Sequence, residues 1–396
     1  MTINFPKIIS IFSGYFLALT IWTISSTLTY ALGTPAKSAL VFDHETSEMI
    51  LEKNPDIPIP PASMSKLMTL NMLFEALRQG QITLEDEFLV SRKASKKGGS
   101  KMFLREGEKV TIKDLILGII VLSGNDACIV AAEGLAGTEE EFSKRMTRRG
   151  KQLGLKNSTF KNSTGWPDPD HKMSARDLMT LAIRIQTEFP EYYKYFAVKE
   201  FTWDNITQKN RNPLLNSDIK ADGLKTGYTK EAGYGFIGAV EENGRRVTFI
   251  LTGLSSVKQR FKEADKMAKW ALRDFNIFTL ANAGDVFINL PVWIGSENSV
   301  NLEVSEAIKV LAPAYSQSRF NAMIVTKSPL SAPIKKGEVL GELIIDVPRS
   351  DDINQFKKVS FPLVASQEIA SGGIISRSKA ALTKIYSLLF GMDNQK

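Results

Sequence analysis

Cysteine is nearly absent from this chain of 396 residues: Cys128 stands alone, so no disulfide can form within it. It sits in the apolar run Ala127-Cys128-Ile129-Val130-Ala131-Ala132, a setting for a small buried hydrophobe rather than a reactive thiol. Histidine is almost as scarce, with two residues, His44 and His171. A Gly-x-Ser-x-Gly elbow is also missing, and together these absences argue against a Ser-His-Asp hydrolase. No His, Cys and carboxylate residues cluster at metal-ligand spacing, so no metal and no cofactor is expected. There is no zinc-finger spacing, no aromatic-basic RNA motif and no long basic run, so nucleic acid is not an expected partner. Low-complexity tracts and internal repeats are lacking too.

What remains is an ordinary globular composition, 43% hydrophobic, with a net charge of +7. The length suffices for one large core and a smaller one. The positive balance suits an anionic partner such as a lipid surface or a wall polymer.

The N-terminus reads as an export signal over residues 1–33. Lys7 precedes a mostly apolar run over residues 8–24, and Ala31-Leu32-Gly33 places small residues at a cleavage site. An uncleaved anchor helix is the alternative, although the run is short for a span of about 20 residues. Either way the rest of the chain is expected outside the cytoplasm.

Residues 39–42 and 48–52 read as strands joined by the polar turn Asp43-His44-Glu45-Thr46-Ser47. Pro58, Pro60 and Pro61 break the chain, and a helix rich in Met and Leu follows over residues 63–78, apolar on nearly every face and so buried. Helices are expected at 111–122, 126–135, 139–153 and 175–187, the first capped by Thr111 with Asp114 three residues on. Past Lys225, residues 234–240 and 246–253 read as strands joined at Asn243-Gly244, a hairpin signal. A helix follows over residues 257–275. The order implies an α+β fold, an antiparallel sheet with helices segregated around it. This first domain spans residues 34–278. From 279 to 368 the helix pattern stops and strand-like runs alternate with turns such as Lys335-Lys336-Gly337-Glu338, which implies a second, small all-β domain. Residues 369–396 carry a last helical segment, 374–390. Its Ile375, Leu382, Ile385 and Leu389 recur at roughly helical spacing, with Arg377, Lys379 and Lys384 between them. A basic amphipathic helix of this kind can lie in a membrane interface.

Three short motifs carry chemistry. In Ser63-Met64-Ser65-Lys66 the lysine lies one helical turn from the serine, so its amine can stand beside the hydroxyl. A serine is a weak nucleophile until a base takes its proton, and burial favours the neutral amine that can do so. In Ser123-Gly124-Asn125, between two helices, a hydroxyl can relay a proton and an amide can hold a carbonyl. In Lys225-Thr226-Gly227, just before the strand pair, two donors suit a carboxylate, and glycine clears space for a substrate backbone. Each motif alone has a plainer reading, as a capped helix start, a polar loop or an exposed turn. The three in this order are far more specific.

With longer stretches around them, the motifs resemble those of the low-molecular-mass penicillin-binding proteins, the serine D-alanyl-D-alanine carboxypeptidases. The stretches are Pro61 to Thr69, Ser123 to Cys128 and Asp222 to Thr229. Asn162-Ser163-Thr164-Gly165-Trp166 with His171, Ser174, Ala175 and Asp177 resembles a further family segment, and Pro291-Val292-Trp293-Ile294-Gly295 the start of the family's β domain. The resemblance implies the penicillin-binding-protein fold and removal of the terminal D-alanine from peptidoglycan pentapeptides. Ser63 would be the nucleophile, Lys66 the base and Ser123 the relay. Asn125 would hold substrate, and Lys225 and Thr226 its terminal carboxylate, beside Gly227. The backbone N–H groups of Ser63 and Tyr228 would form the oxyanion hole. β-Lactams would acylate Ser63, and the C-terminal helix would rest on the periplasmic face of the bacterial inner membrane. Tyr228 stands where some relatives carry histidine. An arginine that supports the carboxylate in relatives is not placed by the sequence, since Arg260 falls on the helix after the hairpin.

Three rivals stay open. A class A β-lactamase needs a Glu-x-x-Asn pattern, which residues 157–222 lack. A D,D-endopeptidase would use the same residues. A non-catalytic wall-binding protein has no need for a lysine buried beside a serine.

Overall fold

The computed structural model describes residues 33–316, 319–327, 329–349 and 355–373. The export signal and the C-terminal amphipathic helix expected from the sequence lie outside the described residues.

The main sheet has five antiparallel strands in the order Glu48–Lys53, Ser38–Asp43, Arg245–Leu254, Gly233–Glu242, Ala221–Thr229. Both faces are covered, and alternation along the strands decides which residue goes where. Leu40, Ile237, Ala239 and Ile250 face a core shared with the helices Lys66–Arg78, Ile112–Ile120, Asn125–Ala136, Glu139–Gln152 and Ala175–Glu188. Ala39, Val41, Phe236, Phe249 and Leu251 face the helix Val257–Arg273, which contributes Ala264, Met267, Ala268 and Ala271. Caps fix where helices begin. Thr111 Oγ1 accepts from the Asp114 amide, and Ser174 Oγ from that of Asp177, each satisfying a donor that the first turn leaves free. Asn243 and Gly244 both take positive φ, 52° and 82°, as a two-residue hairpin turn requires.

Three elements differ from expectation. Ser63 does not open an α-helix: Ala62–Ser65 is a 3-10 turn, and the α-helix begins at Lys66. The last helix of the first domain stops at Arg273, because Phe275 begins the strand Phe275–Ala281, paired with Ile308–Pro313. Lys225-Thr226-Gly227 does not precede the strands. It lies within one, Ala221–Thr229, the edge of the main sheet.

Beyond this, a six-stranded sheet runs in the order Asn321–Thr326, Val339–Pro348, Phe356–Ala365, Ser299–Glu303, Val286–Trp293, Leu330–Ser331, around its own core of residues such as Val300, Leu302, Val347 and Leu363. The two-stranded ladder of Phe275–Ala281 and Ile308–Pro313 joins the domains: Val310 and Ala312 enter the core of the β domain, Leu311 packs in the first domain's core with Trp270 and Phe275, and Lys309 pairs with Glu45 at 3.2 Å.

Candidate active site

The site forms where the Ala62–Ser65 turn docks on the edge strand. Gly227 and Gly235 are cross-strand partners, and their missing side chains make a notch filled by Met64. A Cβ on Gly235 would stand 2.5 Å from Met64 Cε, and one on Gly227 would stand 3.1 Å from both Met64 Cγ and the Pro61 carbonyl. This corrects the reading of Gly227: its Cβ position faces the turn, so glycine here seats the nucleophile's turn and does not clear space for substrate. From the opposite side Gly165, at φ +75°, approaches so closely that a Cβ would lie 1.9 Å from the Ala62 carbonyl. Ala62 itself takes a φ of 50°, unusual for a residue with a Cβ, and these packed neighbours hold it there.

Within this frame the Lys66 amine, with 0% exposure, donates to Ser63 Oγ at 2.9 Å, to Asn125 Oδ1 at 2.8 Å and to the Thr164 carbonyl at 2.6 Å. Three acceptors fix the amine in place. Burial nonetheless lowers its pKa to about 8, so roughly a tenth is neutral at pH 7. Asn125 Nδ2 gives one hydrogen to the Gly98 carbonyl at 2.9 Å and keeps a second for a ligand. Ser123, at φ +59°, accepts from the Lys225 amine at 2.9 Å. Burial, and then the neighbouring charges of Lys66 and Arg211, hold that amine well below its usual range. Thr226 is buried beside Lys225, while Tyr228 is half exposed and stacks on Tyr234 with ring centroids 4.2 Å apart. The structure therefore brings Ser63, Lys66 and Asn125 into one hydrogen-bonded group, and Ser123 with Lys225 into a second. Cys128, buried beneath them, has its thiol pushed up to about 12 by burial, which keeps it inert. His171 is also structural: its Nε2 bonds Ser65 Oγ at 2.7 Å.

Several contributors carried no signal by residue type. The Thr164 acceptor is a backbone carbonyl. The Gly98-Gly99 loop closes over Asn125, and Asn125 N donates to the Ser100 carbonyl at 2.8 Å. Arg211 donates to Ser100 Oγ at 2.6 Å. Arg260 does lie on the helix after the hairpin, yet it is buried, 5.6 Å from the Tyr234 ring centroid, and its Nε has no partner among the described residues.

Comparison with known proteins settles the family. The model described as D-alanyl-D-alanine carboxypeptidase matches residues 26–255, more than half of the chain. The chain belongs to the D-alanyl-D-alanine carboxypeptidase family. A second model, the C-terminal domain of penicillin-binding protein 5, matches residues 275–371. The chain is 33% identical to the D-alanyl-D-alanine carboxypeptidase DacC of Escherichia coli K12 over 86% of both chains. Penicillin-binding protein 5 of Haemophilus influenzae superposes with a TM-score of 0.72 at 31% identity, over 86% of this chain and 98% of that one. Penicillin-binding protein D2 of Listeria monocytogenes, solved with ampicillin bound, gives 0.56 at 29% identity, over 61% of this chain and 99% of that one. Membership makes the chain a serine D-Ala-D-Ala carboxypeptidase of peptidoglycan metabolism.

Proposed function

We propose that Ser63 is the nucleophile of this carboxypeptidase and Lys66 its general base. The observation that carries this is the 2.9 Å hydrogen bond between a fully buried amine and the serine hydroxyl. Neutral Lys66 takes the Ser63 proton as Oγ bonds to the carbonyl carbon between the two terminal D-alanines. The C–N bond breaks, free D-alanine leaves, and its amine receives a proton through Ser123, backed by the Lys225 amine. Water then cleaves the ester by the same route in reverse. Ser63 N–H lies in the first turn of a helical segment, where amides lack internal partners, and with the Tyr228 N–H it makes the oxyanion hole. Asn125 holds a substrate carbonyl with its remaining hydrogen. Thr226 and Lys225 face the terminal carboxylate, and Arg260 adds charge behind them.

β-Lactams acylate the same serine and stay. Among the described residues, Lys66 Nζ bonds Ser63 Oγ, Asn125 Oδ1 and the Thr164 carbonyl and no side-chain carboxylate, so the additional carboxylate base with which a class A β-lactamase speeds deacylation does not stand beside it. The chain acts outside the cytoplasm, on the periplasmic face of the inner membrane. The apolar run over residues 8–24 with its small-residue site supports export, and the basic amphipathic pattern over 374–390 supports a peripheral hold on the membrane.

The test is D-alanine release from a peptide ending in D-Ala-D-Ala, together with the fate of bound penicillin. Release, with penicillin retained on the protein for many turnover times, is the expected result. Fast penicillin hydrolysis would establish a β-lactamase instead. Cleavage confined to cross-linked peptides would establish an endopeptidase.

A further inference from the structure

Three cations line this cleft without an ion-pair partner among the described residues: Lys97, Arg211 and Arg260. Asp126, adjacent to Asn125 in the chain, is not their partner: its carboxylate is turned to the amides of Met102, Phe103, Leu104 and Ala127. The three are spread along the cleft. Arg260 is at the end where Tyr234 stacks on Tyr228, just past Thr226. Arg211 is held by Ser100, whose carbonyl binds the Asn125 amide. Lys97 lies at the Asn125 end: its amine stands 4.5 Å over the ring of Trp166, and that ring packs on Gly98 and Gly99, which themselves contact Asn125. The charge pattern repeats this order, because Lys97 depresses the Lys66 amine, Arg260 the Lys225 amine, and Arg211 both.

A D-Ala-D-Ala end brings one carboxylate, which the Thr226 end receives. That leaves the cation at the opposite end unmatched. The Trp166 ring positions the Lys97 ammonium without neutralising it, and at 42% exposure the ring stays open to solvent. We propose that Lys97, seated on Trp166 at the Asn125 end of the cleft, binds a side-chain carboxylate on the acyl side of the scissile bond, so that preferred substrates carry a free carboxylate upstream of their D-Ala-D-Ala end. The proposal rests on Ser63 as the nucleophile and on the terminal carboxylate lying at Thr226.

Two peptides test it, ending in Glu-D-Ala-D-Ala and Gln-D-Ala-D-Ala and otherwise identical. The intact protein is expected to favour the Glu peptide in kcat/KM by about fivefold at low salt, the scale of a partly exposed charge pair. In 1 M salt, where screening acts within about 3 Å, the preference should shrink toward unity. Lys97→Glu should reverse the preference, and Trp166→Leu should reduce it. Both peptides are compared on one preparation, so misfolding lowers both values and leaves their ratio. Equal kcat/KM for the two peptides on the intact protein, or a preference that survives Lys97→Glu, overturns the subsite and leaves the nucleophile assignment standing. No release from either peptide overturns that assignment and the subsite with it.

Discussion

Ser63→Ala is expected to lower D-alanine release by at least about 10⁴-fold, and Lys66→Met by about 10³-fold, with the double variant little worse than Ser63→Ala alone. The two side chains act as one unit through their 2.9 Å contact, so removing either removes the activated alkoxide. Methionine matches the length of the lysine stem and leaves the surrounding core of Leu67, Met68 and Leu70 packed, which separates loss of the base from loss of the fold. Lys66→Arg should be as inactive as Lys66→Met, since a guanidinium does not give up its proton. The pH profile follows from the same amine. Its pKa lies at about 8, lowered by burial, and the neutral form is the base, so kcat/KM should climb as pH rises through about 8 and level off above it. A profile flat from pH 6 to 10 would remove Lys66 from the role of base.

Gly165→Ala is expected to cost at least about 3 kcal/mol of stability and about 10²-fold in activity. Two effects combine. Alanine resists the φ of +75°, and its Cβ would fall 1.9 Å from the Ala62 carbonyl, a backbone atom that cannot swing aside. Relief moves either the Thr164 carbonyl, which holds Lys66, or the turn that carries Ser63. Gly154→Ala is the control: φ there is +81° with nothing within 4 Å of the Cβ position, so about 1 kcal/mol should be lost and activity kept. Equal effects from the two substitutions, read by thermal melting and D-alanine release, would show that Gly165 supplies backbone freedom and no close approach.

The parts of this site that were legible in the sequence are side chains at short spacing. Ser63 and Lys66 lie a turn apart, Ser123 and Asn125 flank a glycine between helices, and the caps at Thr111 and Ser174 mark the helix starts around them. The strand Ala221–Thr229 was not legible. Asp222, Gly223, Lys225 and Gly227 deny it an apolar alternation, with Thr226 and Thr229 its only β-branched residues, and it is held as a strand by pairing with Gly233–Glu242. Gly227 was misread for the same reason, since its partners Met64 and Pro61 lie far away in sequence. The Thr164 carbonyl and the Gly98-Gly99 loop act through backbone, which residue type does not encode. Arg260 was placed on the right helix, but only the structure turns it inward on the buried face with Glu263, Ala264 and Met267.

The central claim is that one serine bonds covalently to substrate and to penicillin, and locating that bond tests it most directly. The intact protein is treated with penicillin and digested with trypsin, and the adduct is mapped by fragmentation mass spectrometry. The mass of the drug is expected on residues 54–66, placed on Ser63 and not on Ser65, with no adduct on the Ser63→Ala protein. An adduct on Ser123, or labelling that persists in Ser63→Ala, would contradict the account.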